Sequence, residues 1–317
     1  MIETGTDLVY AATLLRRGEL VAIPTETVYG LAANALNSDA VMKIYATKKR
    51  PTFNPLIVHV AETNDIGKYA ADIPLNMWRL AERFSPGPLT YVLPRKAIIP
   101  DVVTGGGDTV ALRVPAHPMA RELLSLLDFP LAAPSANPSG YISPVSAAHV
   151  AHELGDKIPY VLDGGECSVG LESTVVAFDG ERVMVLRAGG VTLEALQEIC
   201  PLLEMRTGAV TGSPGLLKSH YAPRTRLVVG NLARLAEKHA GQKLAVLALS
   251  DFPRGDNIVS SEILAANGDL ALAARHLFAA MRRLDQSGAE LIIAERMPEQ
   301  GFGIAINDRL ERASAED

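Results

Sequence analysis

Short apolar runs alternate with helix-like stretches along most of this chain, and this alternation is the feature that most limits its fold. Residues 7–17 are typical of the helical stretches, with apolar side chains three and four positions apart and Gly18 at the end. The run at 20–23 is typical of the others, because it is short and apolar and stops at Pro24. Strands that alternate with helices and with each other predict an α/β domain built on a mixed sheet.

The pattern extends over two unequal parts of the chain. In the first part, the further predicted helices are residues 38–50, 75–84, 119–127, 146–154 and 192–199. The predicted strands there are 20–23, 56–60, 89–93, 109–114, 131–133, 160–162, 173–178 and 183–187. The second part has predicted strands at 227–229, 244–249 and 291–294, with helices at 232–239 and 270–284. It therefore predicts a smaller open α/β unit.

A segment without clear periodicity separates the two parts. Residues 208–224 contain three glycines and two prolines, which is typical of a linker. No Asp or Glu occurs from residue 205 to 236, whereas five Lys or Arg do. This bias is either chance in a short window or the mark of a basic flap over an anionic ligand. We predict a first domain at 1–207, a linker or lid at 208–225 and a C-terminal domain at 226–317.

Charge and cysteine content narrow the class of protein. The net charge is −6, whereas proteins whose main role is to bind nucleic acid are usually basic. Two cysteines, Cys167 and Cys200, are too few for a disulfide framework in 317 residues, which fits a reducing compartment. The acidic N-terminus is unlike a signal peptide, and no apolar run is long enough to cross a membrane. We therefore expect a cytoplasmic protein with no membrane partner.

The common catalytic motifs are missing from the sequence. It contains neither of the usual glycine-rich nucleotide loops, no G-x-S-x-G nucleophile and no zinc-binding spacing of Cys and His. Polar side chains instead cluster where predicted strands end, which is where open α/β sheets hold their ligands.

The first of these polar clusters spans residues 24–59. Thr25 and Thr27 directly follow a strand, where they either line a ligand site or cap a turn. Lys48 and Arg50 come at a helix end, where cations either complement the helix dipole or hold phosphates beside the stiff, proline-containing segment that follows. His59 ends a strand and is either a core residue or part of the site.

Three further clusters of polar residues and glycines occur along the chain. Glycines 105–107 precede the strand that carries Arg113, which we expect to pair with a protein carboxylate or a substrate carboxylate. Ser135 and Asn137 lie two apart after a strand, so they point the same way and can bind phosphate oxygens, unless the segment is an ordinary turn. The last cluster consists of residues 163–165, residues 171–174 and Arg187.

Taken together and in this order, the clusters closely resemble the YrdC family. The matching segments are PTETVYGL (24–31), KKRPTFNPL (48–56), ALRVP (111–115), APSANPSG (133–140), ESTVV (172–176) and SPGLLKSHYAP (213–223). The last segment and the second part of the chain are similar to the longer, two-domain branch of that family, the threonylcarbamoyl-AMP synthases. The resemblance covers essentially the whole chain.

This resemblance implies both a fold and a reaction. The fold is a YrdC-like twisted mixed sheet with a concave, positively charged active-site face, followed by a smaller open, Rossmann-like α/β domain. The reaction converts L-threonine, bicarbonate and ATP, with Mg²⁺, into threonylcarbamoyl-adenylate and pyrophosphate. A partner transferase then uses the product to modify the adenosine beside the anticodon of tRNAs, and a weak tRNA contact is compatible with the cationic face.

The resemblance also implies roles for individual residues. The expected catalytic residues, which hold the nucleotide phosphates, are Lys48, Arg50, Ser135 and Asn137. Further ATP contacts are implied for Asn54, Thr109, Ser143, Arg187 and Tyr221. Contacts with L-threonine are implied for Thr27, His59, Arg113, Ala133 and Ser173. The motifs identify no metal-ligating residue.

Two rival functions fit parts of the pattern. YrdC-like domains also occur in hydrogenase-maturation proteins that form a related carbamoyl adenylate, but those proteins carry zinc-finger cysteines that this chain lacks. An RNA-binding module would use a cationic face without the reaction, and the net charge of −6 argues against that as the main role.

Overall fold

The computed structural model describes residues 2–205, 220–252 and 254–315, which form two compact units. The second unit contains the described residues from His220 onward together with two short segments, Gly140–Ser143 and Val169–Leu171. The remaining described residues, up to Met205, form the first unit. Most of the predicted linker falls on residues 208–219, outside the described residues.

The helices and strands of the described residues have the following bounds. The helices are α1 (Leu8–Arg16), α2 (Ser38–Lys48), α3 (Ile66–Tyr69), α4 (Leu75–Phe84), α5 (Asp101–Thr104), α6 (Pro118–Ser125), α7 (Ala147–Leu154), α8 (Leu193–Ile199), α9 (Leu232–Lys238), α10 (Leu270–Asp285) and α11 (Phe302–Ser314). The strands are β1 (Glu3–Gly5), β2 (Val21–Ile23), β3 (Gly30–Asn34), β4 (Ile57–His59), β5 (Leu89–Pro94), β6 (Thr109–Arg113), β7 (Leu131–Ala132), β8 (Tyr160–Leu162), β9 (Thr174–Asp179), β10 (Arg182–Arg187), β11 (Leu203–Met205), β12 (Leu227–Gly230), β13 (Leu244–Ala248), β14 (Ile258–Ile263) and β15 (Leu291–Glu295). Across these ranges, none of the helices combines the length and the apolar character needed to cross a membrane.

The first unit is built on one mixed sheet. Its eleven strands lie in the order β1-β8-β2-β3-β7-β4-β6-β5-β9-β10-β11. Parallel pairs such as β4 with β6 occur beside antiparallel pairs such as β5 with β6. Helices α1 and α6 pack on part of this sheet, where Leu15, Ile23 and Leu123 are fully buried. The predicted mixed α/β architecture is therefore confirmed.

Strand register brings several chemistry-bearing residues to one edge of this sheet. His59, the last residue of β4, lies in register with Arg113, the last residue of β6. β5 runs antiparallel to β6 with Tyr91 opposite Leu112, which places Thr90 beside Arg113. β9 is parallel to β5 and antiparallel to β10, so the start of β9 and the end of β10 meet the same edge. Because paired residues project from the same face of a sheet, the side chains of His59 and Arg113 share one face.

The structure departs from the periodicity-based prediction in identifiable places. Helix α2 ends at Lys48 rather than at Arg50, because Lys49 adopts a left-handed backbone conformation (φ 53°) and Pro51 disfavours helix at the residue before it. The pattern does not predict strand β3, which is buried along nearly its whole length and so shows no alternation. It also misses α11, which begins after Gly301 without a side-chain cap.

The second unit contains a parallel four-stranded sheet. Its order is β12-β15-β13-β14. Helix α9 packs on one face, where Leu232, Val246 and Ile293 share an apolar core. Helices α10 and α11 pack against each other, and α10 buries Phe278 completely. The predicted smaller open α/β domain is therefore confirmed.

Candidate active site

The buried guanidinium of Arg113 draws together three segments of the first unit. Its Nε donates to the carbonyl oxygen of Gly87 at 3.1 Å, and its Nη1 donates to Thr27 Oγ1 at 2.9 Å. Its Nη2 lies 2.7 Å from Glu26 Oε1, with the Arg113 side chain only 4% exposed. A charge buried this deeply needs a partner, and in the structure that partner is the carboxylate of Glu26.

The Arg113–Glu26 pair is fixed in place but can still form hydrogen bonds with another molecule. Nη2 and Oε1 lie 2.7 Å apart as an ion pair, and each atom keeps capacity for a further hydrogen bond, because Nη2 carries two N–H groups and a carboxylate oxygen accepts more than one. The other carboxylate oxygen of Glu26, Oε2, accepts from the backbone N–H of Ala116 at 3.0 Å, which orients the carboxylate. The pair therefore holds an N–H group and an oxygen available for further hydrogen bonds.

Two threonines fix a hydroxyl group beside Arg113. Thr25 Oγ1 donates to the carbonyl oxygen of Val28 at 2.7 Å, which uses its only proton. Thr25 Oγ1 also lies 2.8 Å from Thr27 Oγ1 and must therefore accept the proton of Thr27. Since Thr27 Oγ1 accepts from Arg113 in turn, the orientation of this buried hydroxyl is determined.

His59 lies beside Arg113 as a neutral ring. It is 3% exposed, and its Nδ1 has no hydrogen-bond partner among the described residues. Burial, assisted by the positive charge of Arg113, lowers the pKa of His59 to about 3, although backbone hydrogen bonds act in the opposite direction. The imidazole therefore stays uncharged near neutral pH with one ring nitrogen unused.

Buried polar atoms with spare hydrogen-bonding capacity thus collect around Arg113. His59 Nδ1 has no hydrogen-bond partner in the described part of the chain, whereas Arg113 Nη2 and Glu26 Oε1 have each other. Buried polar atoms in folded proteins nearly always use their hydrogen-bonding capacity, so spare capacity gathered at one place indicates a site that a ligand completes. A guanidinium N–H, a carboxylate oxygen and a neutral imidazole together match the charged and polar groups of an amino acid.

Lys48 ties two other predicted segments together. The side chain is 1% exposed, and its Nζ donates to the carbonyl oxygens of Ser135 (2.6 Å) and Asn137. The backbone N–H of Ser139 donates to the carbonyl of Lys48 at 2.8 Å, so the contact is reciprocal. Burial, together with the charge of Arg50, lowers the pKa of Lys48 well below its usual value. The segment that begins with Lys48 and the segment that carries Ser135 and Asn137 therefore meet at one point.

The loop that carries Thr27 also contacts the Ser135 segment. Gly30 forms an antiparallel bridge with Ser135, and the N–H of Ala136 donates to the carbonyl of Tyr29 at 2.8 Å. A β-carbon added at Gly30 would lie 3.1 Å from the Ala133 side chain, so this approach is close. A few residues of backbone in the first unit thus join two groups. We call them the Arg113 cluster (Glu26, Thr27, His59 and Arg113) and the Lys48 cluster (Lys48, Ser135 and Asn137).

Arg50 organises the segment after helix α2. Its Nε donates to the carbonyl of Asn54 at 3.2 Å and its Nη2 to the carbonyl of Pro55 at 3.0 Å. Tyr45 from the same helix donates to the Asn54 carbonyl at 3.2 Å. The side-chain amide nitrogen of Asn54 is buried without a partner in the described chain, so Asn54 has donor capacity for a ligand.

Arg187 and Ser173 meet at the edge predicted from strand register. Nη2 of Arg187 donates to the carbonyl of Ser173 at 2.9 Å and lies 3.3 Å from its hydroxyl. That hydroxyl is 2.7 Å from the hydroxyl of Thr90, whose strand neighbour is Arg113. The structure thereby brings Ser173 and Arg187 to the same edge of the sheet as His59 and Arg113.

Three other predicted site residues lie in different parts of the fold. Thr109 begins β6 and pairs with Pro94, four residues from Arg113 along the same strand. Ser143 and Tyr221 belong to the second unit. Tyr221 is 1% exposed there, with its ring stacked 5.6 Å from that of Phe278.

Glu26 is the functional candidate that sequence reasoning missed. It lies inside the PTET motif, but an acidic residue in a predicted anion site gives no signal of its own, since only the structure pairs it with Arg113. Cys167 lies near this carboxylate, and burial first, then the charge of Glu26, raises the pKa of the thiol to about 12. Cys167 and Cys200 are both free, so no disulfide joins them.

The buried His59 predicts a specific acid sensitivity. Its folded pKa is about 3 and its unfolded pKa about 6.5, so the unfolded chain binds the extra proton as the pH falls below about 6.5. We expect the parent to lose about 1.4 kcal/mol more stability per pH unit between pH 5.5 and 4.5 than a His59→Asn variant. Urea unfolding across this range measures the difference, with His152→Asn, at an exposed histidine, as the control. If the free energy of unfolding changes with pH in the same way for the parent and both variants, His59 is not a buried neutral ring.

Two family models match this chain. One, described as "Telomere recombination" and named for Sua5, YciO and YrdC, matches residues 13–189. The other, described as "Threonylcarbamoyl-AMP synthase, C-terminal domain", matches residues 191–315. Together they account for nearly the whole chain in the order that the motifs predict.

Named relatives and a solved structure agree with this assignment. Threonylcarbamoyl-AMP synthase of Pyrococcus abyssi is 40% identical, over 96% of this chain and 93% of the relative. The synthase of Bacillus subtilis is also 40% identical, over 96% of this chain and 92% of the relative. A crystal structure of P. abyssi Sua5 complexed with L-threonine superposes with a TM-score of 0.91 at 38% identity, covering 99% of this chain and 97% of that one. This chain therefore belongs to the threonylcarbamoyl-AMP synthase family.

Proposed function

We propose that this chain forms threonylcarbamoyl-adenylate and pyrophosphate from L-threonine, bicarbonate and ATP, as a nucleotidyltransferase that serves tRNA modification. The observation that carries the proposal is the spare hydrogen-bonding capacity of the buried Glu26, His59 and Arg113 side chains, which backbone contacts join to the Lys48 cluster. The named relatives at 40% identity support the reaction, and the relative complexed with L-threonine supports the amino acid.

In this proposal, the Arg113 cluster binds L-threonine. The free N–H direction at Arg113 Nη2 takes one oxygen of the α-carboxylate, as a charge-assisted hydrogen bond. Thr27 and His59 shape the pocket for the rest of the amino acid, Ala133 forms part of its wall and Ser173 adds a hydroxyl. Glu26 keeps the guanidinium oriented and neutralises its charge before the substrate arrives.

ATP occupies the neighbouring donor groups. Lys48 uses two N–H groups on the carbonyls of Ser135 and Asn137, and its third is directed to a phosphate oxygen. Arg50, Asn54 and Arg187 supply further donors, and the side chains of Ser135 and Asn137 orient the phosphates. Thr109, Ser143 and Tyr221 are proposed to complete the nucleotide contacts.

The donor set fits a divalent ion that is bound to ATP rather than one held by the protein. Lys, Arg, Asn and Ser side chains offer N–H and O–H groups to anions, whereas Mg²⁺ is held by oxygens and often by substrate phosphates with several waters. Among the described residues, no three His, Cys, Asp or Glu side chains lie close enough to hold a metal. We propose that Mg²⁺ offsets phosphate charge as part of the ATP complex.

The proposed reaction requires little covalent chemistry from the side chains of the protein. The amine of threonine and bicarbonate first give a carbamate and water. A carbamate oxygen then attacks the α-phosphorus of ATP in line, and the bond from phosphorus to the pyrophosphate oxygen breaks. Catalysis therefore rests on holding the two substrates in line and neutralising the charge on the phosphates.

The product itself tests this proposal. Incubation with ATP, bicarbonate and L-threonine should yield threonylcarbamoyl-adenylate by mass spectrometry, with one pyrophosphate released for each adenylate formed. L-serine in place of threonine is the control for the amino-acid pocket. Tight tRNA binding without any adenylate would favour the RNA-binding module, and adenylate formation that does not depend on threonine would favour the hydrogenase-maturation reaction.

Lys48 should matter for the transition state more than for folding. The substitution Lys48→Met keeps the buried stem but removes the charge, so we expect a loss of about 2–4 kcal/mol of transition-state stabilisation, by comparison with removal of one key donor elsewhere. Pyrophosphate release measures this loss as a fall in kcat/KM. Lys43→Met, on the same helix but exposed beside Glu19, is the matched control. Equal rates for Lys48→Met and the parent would remove Lys48 from the mechanism.

The last parts of the proposal concern the segment between the two domains, the transferase that uses the product, and tRNA. We propose that the basic segment at 208–225 closes over the bound ligands as a lid. Turnover by a chain that ends after residue 207 tests this proposal, and an unchanged rate would exclude the lid. A separate transferase in the cytoplasm consumes the adenylate, and any contact of this chain with tRNA is weak.

A further inference from the structure

The connections of the second unit place its helices on both faces of its parallel sheet. β12, α9 and β13 form one crossover, and β14, α10 and β15 form another that runs in the opposite direction along the sheet. Because such crossovers are right-handed in nearly all proteins, α9 and α10 lie on opposite faces. The packing agrees, since α9 covers the face of Val246 and Ile293, whereas Leu247 and Ile292 point to the other face and are fully buried.

The chain therefore leaves the neighbouring strands β12 and β15 toward opposite faces. α9 follows β12, whereas α11 follows β15 and packs against α10. Strand ends that diverge in this way leave a crevice at their carboxyl ends, which is where open α/β sheets bind ligands.

A cleft of about 600 Å³ lies at these strand ends, and its size is typical of a small-molecule site. The residues that line it come from the ends of three strands and include Gly230 and Asn231 at β12, Asp251 and Phe252 after β13, and Glu295 and Arg296 at β15. All of these residues belong to the second unit. The cleft is therefore a feature of that unit alone.

Glu295, the last residue of β15, presents an oriented carboxylate to the cleft. Its Oε2 accepts from the backbone N–H of Leu249 at 2.7 Å, which fixes the carboxylate and leaves Oε1 for a ligand. An acidic side chain beside the crevice of an open α/β sheet is suited to the hydroxyl groups of a ribose, which donate to its oxygens.

Phe252 adds an aromatic wall to the same cleft. Its ring is partly buried against the apolar core that contains Leu232 and Val246, so the ring is held in place while part of it faces the cleft. An aromatic ring in such a position is suited to stack on a nucleobase.

The charges around the cleft disfavour a phosphate group. Asp251 and Glu295 are acidic, and of the described residues that line the cleft only Arg296 is basic. Its guanidinium is already paired with Glu299 at 2.7 Å and with Glu311 at 2.6 Å. The glycine-rich loop that holds phosphates in dinucleotide-binding domains is also missing from the sequence.

From these observations we propose that the second unit has a ligand site of its own in this cleft, which binds an unphosphorylated nucleoside. The ribose hydroxyls donate to the Glu295 carboxylate, and the base lies against the Phe252 ring. This site goes beyond the proposed function and does not depend on it.

Calorimetry on the full chain with adenosine, guanosine, cytidine and uridine tests the proposal. We expect at least one of the four to bind with a Kd of about 0.1 mM, from the usual binding energy per atom of ligands of this size. Its 2′-deoxy form should bind about tenfold more weakly, because one hydrogen bond to a charged group is lost. If none of the four binds more tightly than about 1 mM, or if the deoxy form binds equally well, the proposal is wrong.

Two variants locate the binding in this cleft. Glu295→Gln should weaken the nucleoside about tenfold. Phe252→Leu, which keeps the apolar packing and removes the ring, should weaken it about threefold. Glu290→Gln is the matched control, because Glu290 lies just before the other end of β15 and its carboxylate also accepts a backbone N–H, that of Lys243 at 2.8 Å.

A nucleoside bound at the proposed ATP site would be indifferent to these substitutions. Equal affinities in the parent, Glu295→Gln and Phe252→Leu would therefore overturn the proposal. A 5′-monophosphate that binds the parent more tightly than the nucleoside, and loses as much affinity in Glu295→Gln, would contradict the preference for an unphosphorylated ligand. Melting temperatures check that each variant is folded, and the comparison with the deoxy form decides the question on the parent protein alone.

Discussion

The site depends on the buried ion pair between Arg113 and Glu26, in which the guanidinium keeps an N–H group for a further hydrogen bond. Arg113 is held by Gly87, Thr27 and Glu26, from parts of the chain far apart in sequence. Burying this charge without the carboxylate would be costly, so the loop that carries Glu26 must lie against the end of β6. The remaining N–H direction and the unused atoms of Glu26 and His59 are then the groups that a ligand can satisfy.

The sheet explains how such distant residues come together. His59 and Arg113 end neighbouring parallel strands, and Ser173 and Arg187 reach the same edge because β9 and β10 run in opposite directions. The proposed phosphate site is built differently, since the buried side-chain nitrogen of Lys48 joins a helix end to the carbonyls after β7. In the proposed function, the mixed sheet thus presents an amino-acid pocket and a phosphate pocket from different strand ends.

Much of this arrangement is predictable from the sequence, for physical reasons. Polar clusters directly after predicted strands singled out Thr27 and Ser135 as candidates, and the family resemblance added Ser173. The partner of Arg113 was not predictable, because the sequence allows either a protein or a substrate carboxylate. Pairings between distant segments depend on register and twist, which periodicity does not encode. For the same reason the sequence did not indicate that residues 140–143 belong to the second unit.

The most direct test of the account is a comparison of two ligands by calorimetry. L-threoninol has the amine, side chain and size of L-threonine but carries a hydroxymethyl group in place of the carboxylate. If the free N–H direction of Arg113 binds that carboxylate, the parent protein should bind threoninol about 10–100-fold more weakly than threonine. Equal affinities for the two ligands would mean that Arg113 does not recognise the carboxylate, and the amino-acid pocket described here would be wrong.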